Sequence, residues 1–137
     1  MGVSARLGGG GEFELIRRFM AKDGPLPHDV IIGPGDDAAV LEGGWVISTD
    51  LAVEDVHFRR SWLTDREIGY RAAAAALSDM AAMAANPVAL LLSTAAPRGG
   101  AVDLEEVNAG VRAMAATVGA CVIGGDVSGS PGPLMVD

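Results

Sequence analysis

The alternation of apolar and polar positions along the chain predicts a mixture of helices and strands. Apolar residues recur with the period of a helix in three stretches, residues 12–22, 65–85 and 103–118. Apolar runs of strand length occupy four others, residues 38–41, 45–49, 88–94 and 120–123, and a further strand begins at 134–136. Residues 53–58 fit either a short strand or an ordered loop. This order predicts a mixed α/β chain with its helices packed on one face of a sheet.

The ends of these elements carry local sequence chemistry that supports the prediction. Thr64 followed by Glu67 has the spacing of a capping box, which starts the second helix. Gly119 follows the third helix, where a glycine commonly ends one. Residues 42–44 read Glu-Gly-Gly between two apolar runs, as in a β-hairpin. The two strands on either side of this loop are therefore expected to pair.

Composition bounds the kind of domain and its partners. The chain has 137 residues, the size of one domain, and its 50% hydrophobic content is enough for a core. Only 4% of the residues are aromatic, so Ala, Val, Leu and Met must fill that core, which suits helices packed closely on a sheet. The net charge of −8 argues against nonspecific nucleic-acid binding, which rests on clustered Lys and Arg. Phosphate ligands remain compatible with this charge, because Mg²⁺ can bridge acids to phosphates.

The boundaries of the chain and its cysteine give further expectations. Residues 1–10 are rich in Gly and are expected to be a disordered tail, which leaves residues 11–137 as the folded domain. Cys121 is the single cysteine of the sequence, so no internal disulfide can form, and its apolar neighbours predict a small buried residue. The sequence contains no apolar run of membrane-spanning length and no signal-peptide core, so a cytoplasmic protein is expected, without membrane partners. The chain stops at Asp137 inside a strand-like run, which predicts a fragment of a longer protein.

Four aspartates predict a site for a hard cation. They are Asp37 after a Gly-Pro-Gly turn, Asp50 in a Ser-Thr-Asp strand end, Asp79 inside the Ala-rich second helix, and Asp126 after a Gly-Gly pair. Mg²⁺ takes oxygen ligands and usually binds through a few carboxylates together with substrate phosphates. An array of aspartates at element ends is typical of such a site.

Each of these positions also has an ordinary structural explanation. A structural ion pair or a loop cap would account for Asp79, because a carboxylate on an apolar helix face needs a partner. Turns favour Ser, Thr and Asp, which explains residues 48–50, and a plain turn also explains residues 124–126. His57 is either a substrate contact or a surface residue of a loop. One Cys and two distant His give no structural zinc site.

Six motifs, taken together and in order, resemble the N-terminal region of the thiamine-monophosphate kinase family. They are Gly11-Glu12-Phe13-Glu14-Leu15-Ile16, Gly35-Asp36-Asp37-Ala38-Ala39, Ser48-Thr49-Asp50, Val53-Glu54-Asp55-Val56-His57-Phe58, Leu77-Ser78-Asp79-Met80-Ala81-Ala82-Met83 and Gly124-Gly125-Asp126. The resemblance spans residues 11 to about 133, and the ordered set is far more specific than any one motif. Aminoimidazole-ribonucleotide synthetases, selenophosphate synthetases and hydrogenase-maturation proteins share the wider ATP-binding superfamily.

The resemblance implies a fold, an activity and a set of site residues. The implied fold is an α+β domain with helices over a mixed sheet, of the kind that aminoimidazole-ribonucleotide synthetases have at their N-terminus. The implied activity is the ATP-dependent phosphorylation of thiamine monophosphate to thiamine diphosphate, with several Mg²⁺ ions, in a homodimer that pairs through this domain. By motif, the implied metal ligands are Asp37, Ser48, Thr49, Asp50, Asp79 and Asp126. Gly125 and Asp126 are implied in ATP binding, and His57 in substrate binding.

The chain departs from the family pattern at several positions. Asp55 stands where Gly is usual, and Ala76 where Asn is common. Residues 85–87, Ala-Asn-Pro, replace a Gly-x-Pro-like end, and residues 127–129, Val-Ser-Gly, replace a Thr-Thr-Arg-like run that would carry a phosphate contact. The family's second domain, which completes the ATP and substrate sites, is missing from this stretch, so the fragment alone is expected to be inactive. Two alternatives stay open: another ATP-dependent synthetase of the superfamily, and a non-catalytic nucleotide-binding module that dimerises.

Overall fold

A computed structural model describes residues 11–21 and 24–137, and its elements follow the predicted order. In chain order they are α1 (Gly11–Met20), β1 (Val30–Ile32), β2 (Ala39–Leu41), β3 (Trp45–Ile47), β4 (Ala52–Val53), α2 (Asp65–Ala82), β5 (Ala89–Pro97), α3 (Leu104–Thr117), β6 (Cys121–Ser130) and β7 (Met135–Val136). The predicted tail at residues 1–10 and the predicted end of the first helix at Lys22 lie outside the described residues. Across the described ranges, no helix combines the length and the apolar character needed to cross a membrane.

The strands of the described residues form two sheets. The first is antiparallel in the order β1-β2-β3, and β2 pairs with β3 across the predicted hairpin loop at residues 42–44. The second has the order β4-β7-β5-β6 and is mixed, because β5 runs parallel to β6 and antiparallel to β7. The sequence predicted one sheet and gave no prediction for β1. A mixed sheet together with helices confirms the α+β class.

The start of α2 is set by the predicted capping box. The Thr64 hydroxyl accepts a hydrogen bond from the N–H of Glu67 at 3.3 Å, and Glu67 Oε2 accepts one from the N–H of Thr64 at 2.8 Å. The hydrogen bond from the Thr64 N–H is the main cause of a pKa for the Glu67 carboxyl below its usual value, and the bond from the Thr64 hydroxyl is the second cause. The helix ends at Ala82, before the predicted residue 85, and Ala84 beyond it has a φ of 51°.

Helices α2 and α3 pack against each other through two glycines. A Cβ atom on Gly69 would lie 1.9 Å from the carbonyl oxygen of Val107, and one on Gly110 would lie 1.9 Å from that of Arg66. No carbon atom fits at such distances, so each helix backbone rests directly on the other. This contact agrees with the prediction of closely packed helices.

The core lies between this helix pair and the four-stranded sheet. Its buried side chains come from both layers: Phe58, Ile68, Ala72, Val107, Leu134 and Val136. The larger aliphatic members, Ile68, Val107, Leu134 and Val136, are among the most completely buried side chains of the described residues. The helices therefore cover one face of the sheet, in agreement with the prediction.

The opposite face of the four-stranded sheet has no cover within the described residues. Along β5 exposed residues alternate with less exposed ones, and Ala89, Leu91 and Ser93 belong to the exposed set. Cys121 at the start of the edge strand β6 pairs with Ala89 and is exposed. The prediction that Cys121 is buried is therefore wrong, because the apolar run around it forms an edge strand with one open face.

Candidate functional site

Two hydroxyl–carboxylate hydrogen bonds anchor the segment that follows β3. Ser48 Oγ donates to Asp79 Oδ2 at 2.5 Å, and Thr49 Oγ1 donates to Asp137 Oδ1 at 2.5 Å. Short O–H···O distances of this kind are usual when the acceptor is an ionised carboxylate. The first bond joins two predicted metal ligands that stand 31 positions apart in the chain. The second involves Asp137, which belongs to none of the sequence motifs.

A cavity of about 370 Å³ opens beside this segment, between residues 50–58 and one side of α2. It is lined by Asp50, Leu51, Ala52, His57, Phe58, Ile68, Arg71, Ala72, Ala74 and Ala75. The predicted metal ligand Asp50 and the predicted substrate contact His57 therefore share one cavity. Asp79 stands four residues, about one helical turn, after Ala75, so the Ser48–Asp79 pair lies next to the cavity wall.

The backbone of the four-stranded sheet relates Asp126 to Asp137. Asp126 on β6 is the register partner of Ser93 on β5. The N–H of Ser93 donates to the carbonyl oxygen of Asp137 at 2.7 Å, and the N–H of Asp137 donates back to Ser93 at 2.9 Å. Adjacent strands lie almost 5 Å apart, so Asp126 and Asp137 flank Ser93 with roughly 10 Å between their backbones. Through the Thr49–Asp137 bond, this row connects to the segment after β3.

The predicted Gly-Gly-Asp turn lies inside β6, which continues to Ser130. The register shifts between the pairs Leu90–Val122 and Leu91–Gly124, so the intervening Ile123 is an extra residue that forms a bulge. Gly125 has a φ of 147°, and a Cβ atom there would lie 1.8 Å from the carbonyl oxygen of Leu92. Only glycine fits this approach of β6 to β5, and the bulge sets the direction of the following Asp126.

A second cavity, of about 630 Å³, lies between this part of β6 and α3. Its lining includes Gly124, Gly125 and Asp126 from the strand, and Glu105, Asn108 and Arg112 from the helix. The predicted ATP-binding residues therefore line a different cavity from Asp50 and His57. Both cavities fall in the size range of sites for small ligands.

Asp37 is the predicted ligand that the structure ties least to the others. It lies in an exposed turn, where its N–H donates to Oδ1 of Asp36 at 2.9 Å. Within residues 11–21 and 24–137, no hydrogen bond or ion pair joins Asp37 to Asp50, Asp79 or Asp126. The structure thus brings together Ser48 with Asp79 and Asp50 with His57, and leaves Asp37 apart.

The donor atoms of the predicted ligands fit Mg²⁺ by chemistry. They are carboxylate and hydroxyl oxygens, and one pair of them is already in contact at 2.5 Å. Across the described part of the chain, the one set of three His, Cys, Asp or Glu side chains with ligand atoms within 4.8 Å is His28, Asp29 and Glu42. The predicted aspartates therefore form no all-protein cage. Mg²⁺ seldom needs one, because it keeps waters and shares its remaining positions with substrate phosphates.

The chain resembles known proteins in both sequence and fold. Residues 35–136 match the family described as "AIR synthase related protein, N-terminal domain". The chain is 36% identical over 121 residues to the thiamine-monophosphate kinase of Mycobacterium tuberculosis. The aligned region covers 85% of this chain and 36% of the relative. The chain thus spans little more than a third of the length of that curated relative.

Solved structures show the same fold. The crystal structure of thiamine monophosphate kinase from Aquifex aeolicus is similar with a TM-score of 0.71 and 26% identity, over 99% of this chain and 42% of that one. A structure of AaThiL complexed with AMPPCP and TMP is similar with a TM-score of 0.64 and 23% identity, over 99% of this chain and 41% of that one. At that lower identity the second similarity bears on the fold alone.

Proposed function

Because the chain belongs to the AIR synthase related family through its N-terminal domain, we propose that it is the N-terminal part of a kinase that uses ATP and Mg²⁺ to phosphorylate thiamine monophosphate to thiamine diphosphate. The observation that carries the proposal is the Ser48–Asp79 contact beside the cavity of Asp50 and His57. Oxygen ligands and a small-molecule cavity meet there, as phosphoryl transfer requires. The similarity to thiamine-monophosphate kinases is the reason for proposing thiamine monophosphate, and not another small phosphate acceptor, as the substrate.

In this proposal the oxygen ligands are divided between two regions. Ser48, Thr49, Asp50 and Asp79 hold Mg²⁺ next to the smaller cavity, and Asp126 does so at the bulge of β6. Asp37 joins them from its exposed turn. The ions supply positive charge that offsets the charge of phosphate oxygens. The family resemblance gives these roles, and the oxygen-donor chemistry of the residues supports them.

The residues of the chain position the two substrates. The cavity with Asp50 and His57 takes the acceptor, and His57 contacts it. Gly125 and Asp126 belong to the second cavity, which takes the nucleotide. Phosphoryl transfer depends mainly on positioning and on the stabilisation of charge, so no covalent role is assigned to any residue.

One departure from the family pattern has a structural counterpart. Gly129 stands in the run that replaces the Thr-Thr-Arg-like motif, and a Cβ atom there would lie 3.2 Å from Arg98 Nε. The side chain of Arg98 therefore occupies the space beside Gly129. An arginine remains close to this part of β6 although the sequence motif lacks one.

We extend the proposal to a homodimer that pairs through the uncovered face of the four-stranded sheet. Leu91 is 68% exposed on that face, and pairing through the face would remove this apolar side chain from water. Light scattering coupled to size-exclusion chromatography tests this directly. A dimer that Leu91→Asp converts to a monomer supports the pairing, and a monomeric wild-type protein refutes it.

Expression of the complete coding sequence tests the activity. The product is incubated with thiamine monophosphate and Mg-ATP, and thiamine diphosphate is measured by fluorescence after oxidation to the thiochrome form. Formation of thiamine diphosphate that stops when EDTA removes the metal is the expected result. No product above the enzyme-free blank refutes the proposal. A panel of other phosphate acceptors then separates this branch from the synthetases of the superfamily.

A further inference from the structure

The smaller cavity contains one strongly basic side chain among the described residues that line it. Arg71, on α2, stands in a wall that is otherwise mostly apolar and that includes Phe58, Ile68 and Ala72. The same cavity is also lined by Asp50, an acidic residue of the segment after β3. A guanidinium group in such surroundings recognises a planar or tetrahedral anion through paired N–H donors.

None of the acids on α2 forms an ion pair with Arg71 among the described residues, and each has another contact. Glu67, one turn earlier, accepts hydrogen bonds from the N–H and the hydroxyl of Thr64, both at 2.8 Å. Asp65 pairs with Arg60 at 3.2 Å, and Asp79 accepts from Ser48. Over residues 11–21 and 24–137, Arg71 has no ion pair within 4.0 Å. Its charge therefore remains available to a ligand.

We propose that Arg71 binds the phosphate group of the acceptor substrate, while the apolar wall of the same cavity receives the organic part. The inference rests on the proposed function and extends it to a residue that the sequence motifs do not name. The acceptor is favoured over the nucleotide because Gly125 and Asp126 line the other cavity. Arg71 acts here as a binding and orienting group, and the acceptor class is a small phosphate monoester with an apolar ring.

Steady-state kinetics on the full-length product gives the first test. In Arg71→Gln we expect the KM for thiamine monophosphate to rise about 10- to 100-fold, since one charge-assisted contact is lost, with the KM for ATP unchanged. Arg71→Lys keeps the positive charge and loses the planar guanidinium, so its KM for thiamine monophosphate is expected to lie between those of the wild type and Arg71→Gln. Arg66→Gln is the matched control, because Arg66 lies on the same helix and pairs with Glu106 on the surface. An unchanged KM for thiamine monophosphate, or an equal rise in both KM values, overturns the inference.

A binding experiment separates this inference from the proposed activity. The 137-residue chain is titrated with inorganic phosphate and followed by amide NMR shifts. Saturable shifts at Ala52, Phe58 and Ala72 are expected in the wild type and in Arg66→Gln, and are expected to disappear in Arg71→Gln. Their absence from the wild type overturns the inference whatever the kinase assay gives. If the wild-type chain shows them while the full-length product forms no thiamine diphosphate, the proposed function is refuted and the anion site is retained.

Discussion

The contact between α2 and α3 leaves no space for a side chain at Gly110, so Gly110→Ala tests the packing of the whole helix layer. A Cβ atom there would lie 1.9 Å from the carbonyl oxygen of Arg66 and 2.8 Å from the backbone nitrogen of Tyr70. Real Cβ contacts begin near 3.0 Å, so the two helices must separate by about 1 Å at this point. Val107, which is fully buried one turn before Gly110, would lose part of its packing as they do so.

The expected loss of stability follows from two opposing terms. Overpacking of a close core contact costs about 1–3 kcal/mol, and the backbone contact at Gly110 is at the upper end of that range or beyond it. Replacement of Gly by Ala inside a helix returns about 1 kcal/mol of helix propensity. The net destabilisation is therefore about 2 kcal/mol, which lowers the Tm of a domain of this size by about 6–10 °C.

Thermal and urea unfolding followed by circular dichroism measure this effect. Gly24→Ala is the control, because a Cβ atom on Gly24 would meet nothing within 4 Å. Gly69→Ala should cost a similar amount, since it meets Val107 at 1.9 Å. The double variant should cost less than the sum of the two, because one separation of the helices relieves both clashes. If Gly110→Ala is as stable as the wild type, or gains the propensity term, the packing argument is wrong.

Three further predictions concern helix ends and the proposed site. Ala84→Gly should stabilise the chain by about 1 kcal/mol, because φ at this position is 51°, and equal or lower stability in urea unfolding would contradict this. The lowered folded-state pKa of Glu67 means that its stabilising effect is full above pH 4.5 and is lost as the pH falls through that lowered pKa. The stability difference between wild type and Glu67→Gln in urea should therefore shrink from pH 7 to pH 3, and a constant difference would disprove the coupling. Asp79→Asn and Asp37→Asn should each lower kcat of the full-length product by roughly tenfold or more, since loss of even an outer-shell partner of a metal typically costs about 10- to 100-fold. Asp36→Asn keeps the acceptor for the Asp37 N–H and should leave kcat unchanged, and equal effects in all three variants would argue against a metal-binding role.

Local chemistry made several elements predictable from the sequence. The capping box of Thr64 and Glu67 depends on residues three apart, and the structure contains both of its hydrogen bonds. The hairpin at residues 42–44 is equally local, because a short Gly-containing loop leaves adjacent strands little choice but to pair. Asp55 has a φ of 64°, a backbone conformation that glycine adopts more readily than other residues.

Features that depend on distant partners were not predictable in this way. β1 has three residues, and it is a strand only because β2 pairs with it. The glycines of β6 resemble a turn in the sequence, yet they serve the approach of Gly125 to the backbone of β5. Asp137 carries no motif, and its contact with Thr49 spans 88 positions. The exposure of Cys121 follows from the place of β6 at the sheet edge, which an apolar run does not reveal.

Acids near the proposed site differ from a structural acid in their hydrogen-bond partners, which are hydroxyl groups and not an arginine. Asp65 is neutralised by Arg60 at 3.2 Å, next to the start of α2. Asp79 and Asp137 instead accept hydrogen bonds from the hydroxyls of Ser48 and Thr49. A hydroxyl satisfies a carboxylate oxygen without neutralising its charge, so these acids keep their attraction for a cation. Asp65 and Asp79 lie on the same helix, and their positions in the sequence do not show which one is neutralised by a cation. Their partners in the fold, Arg60 and Ser48, do show it.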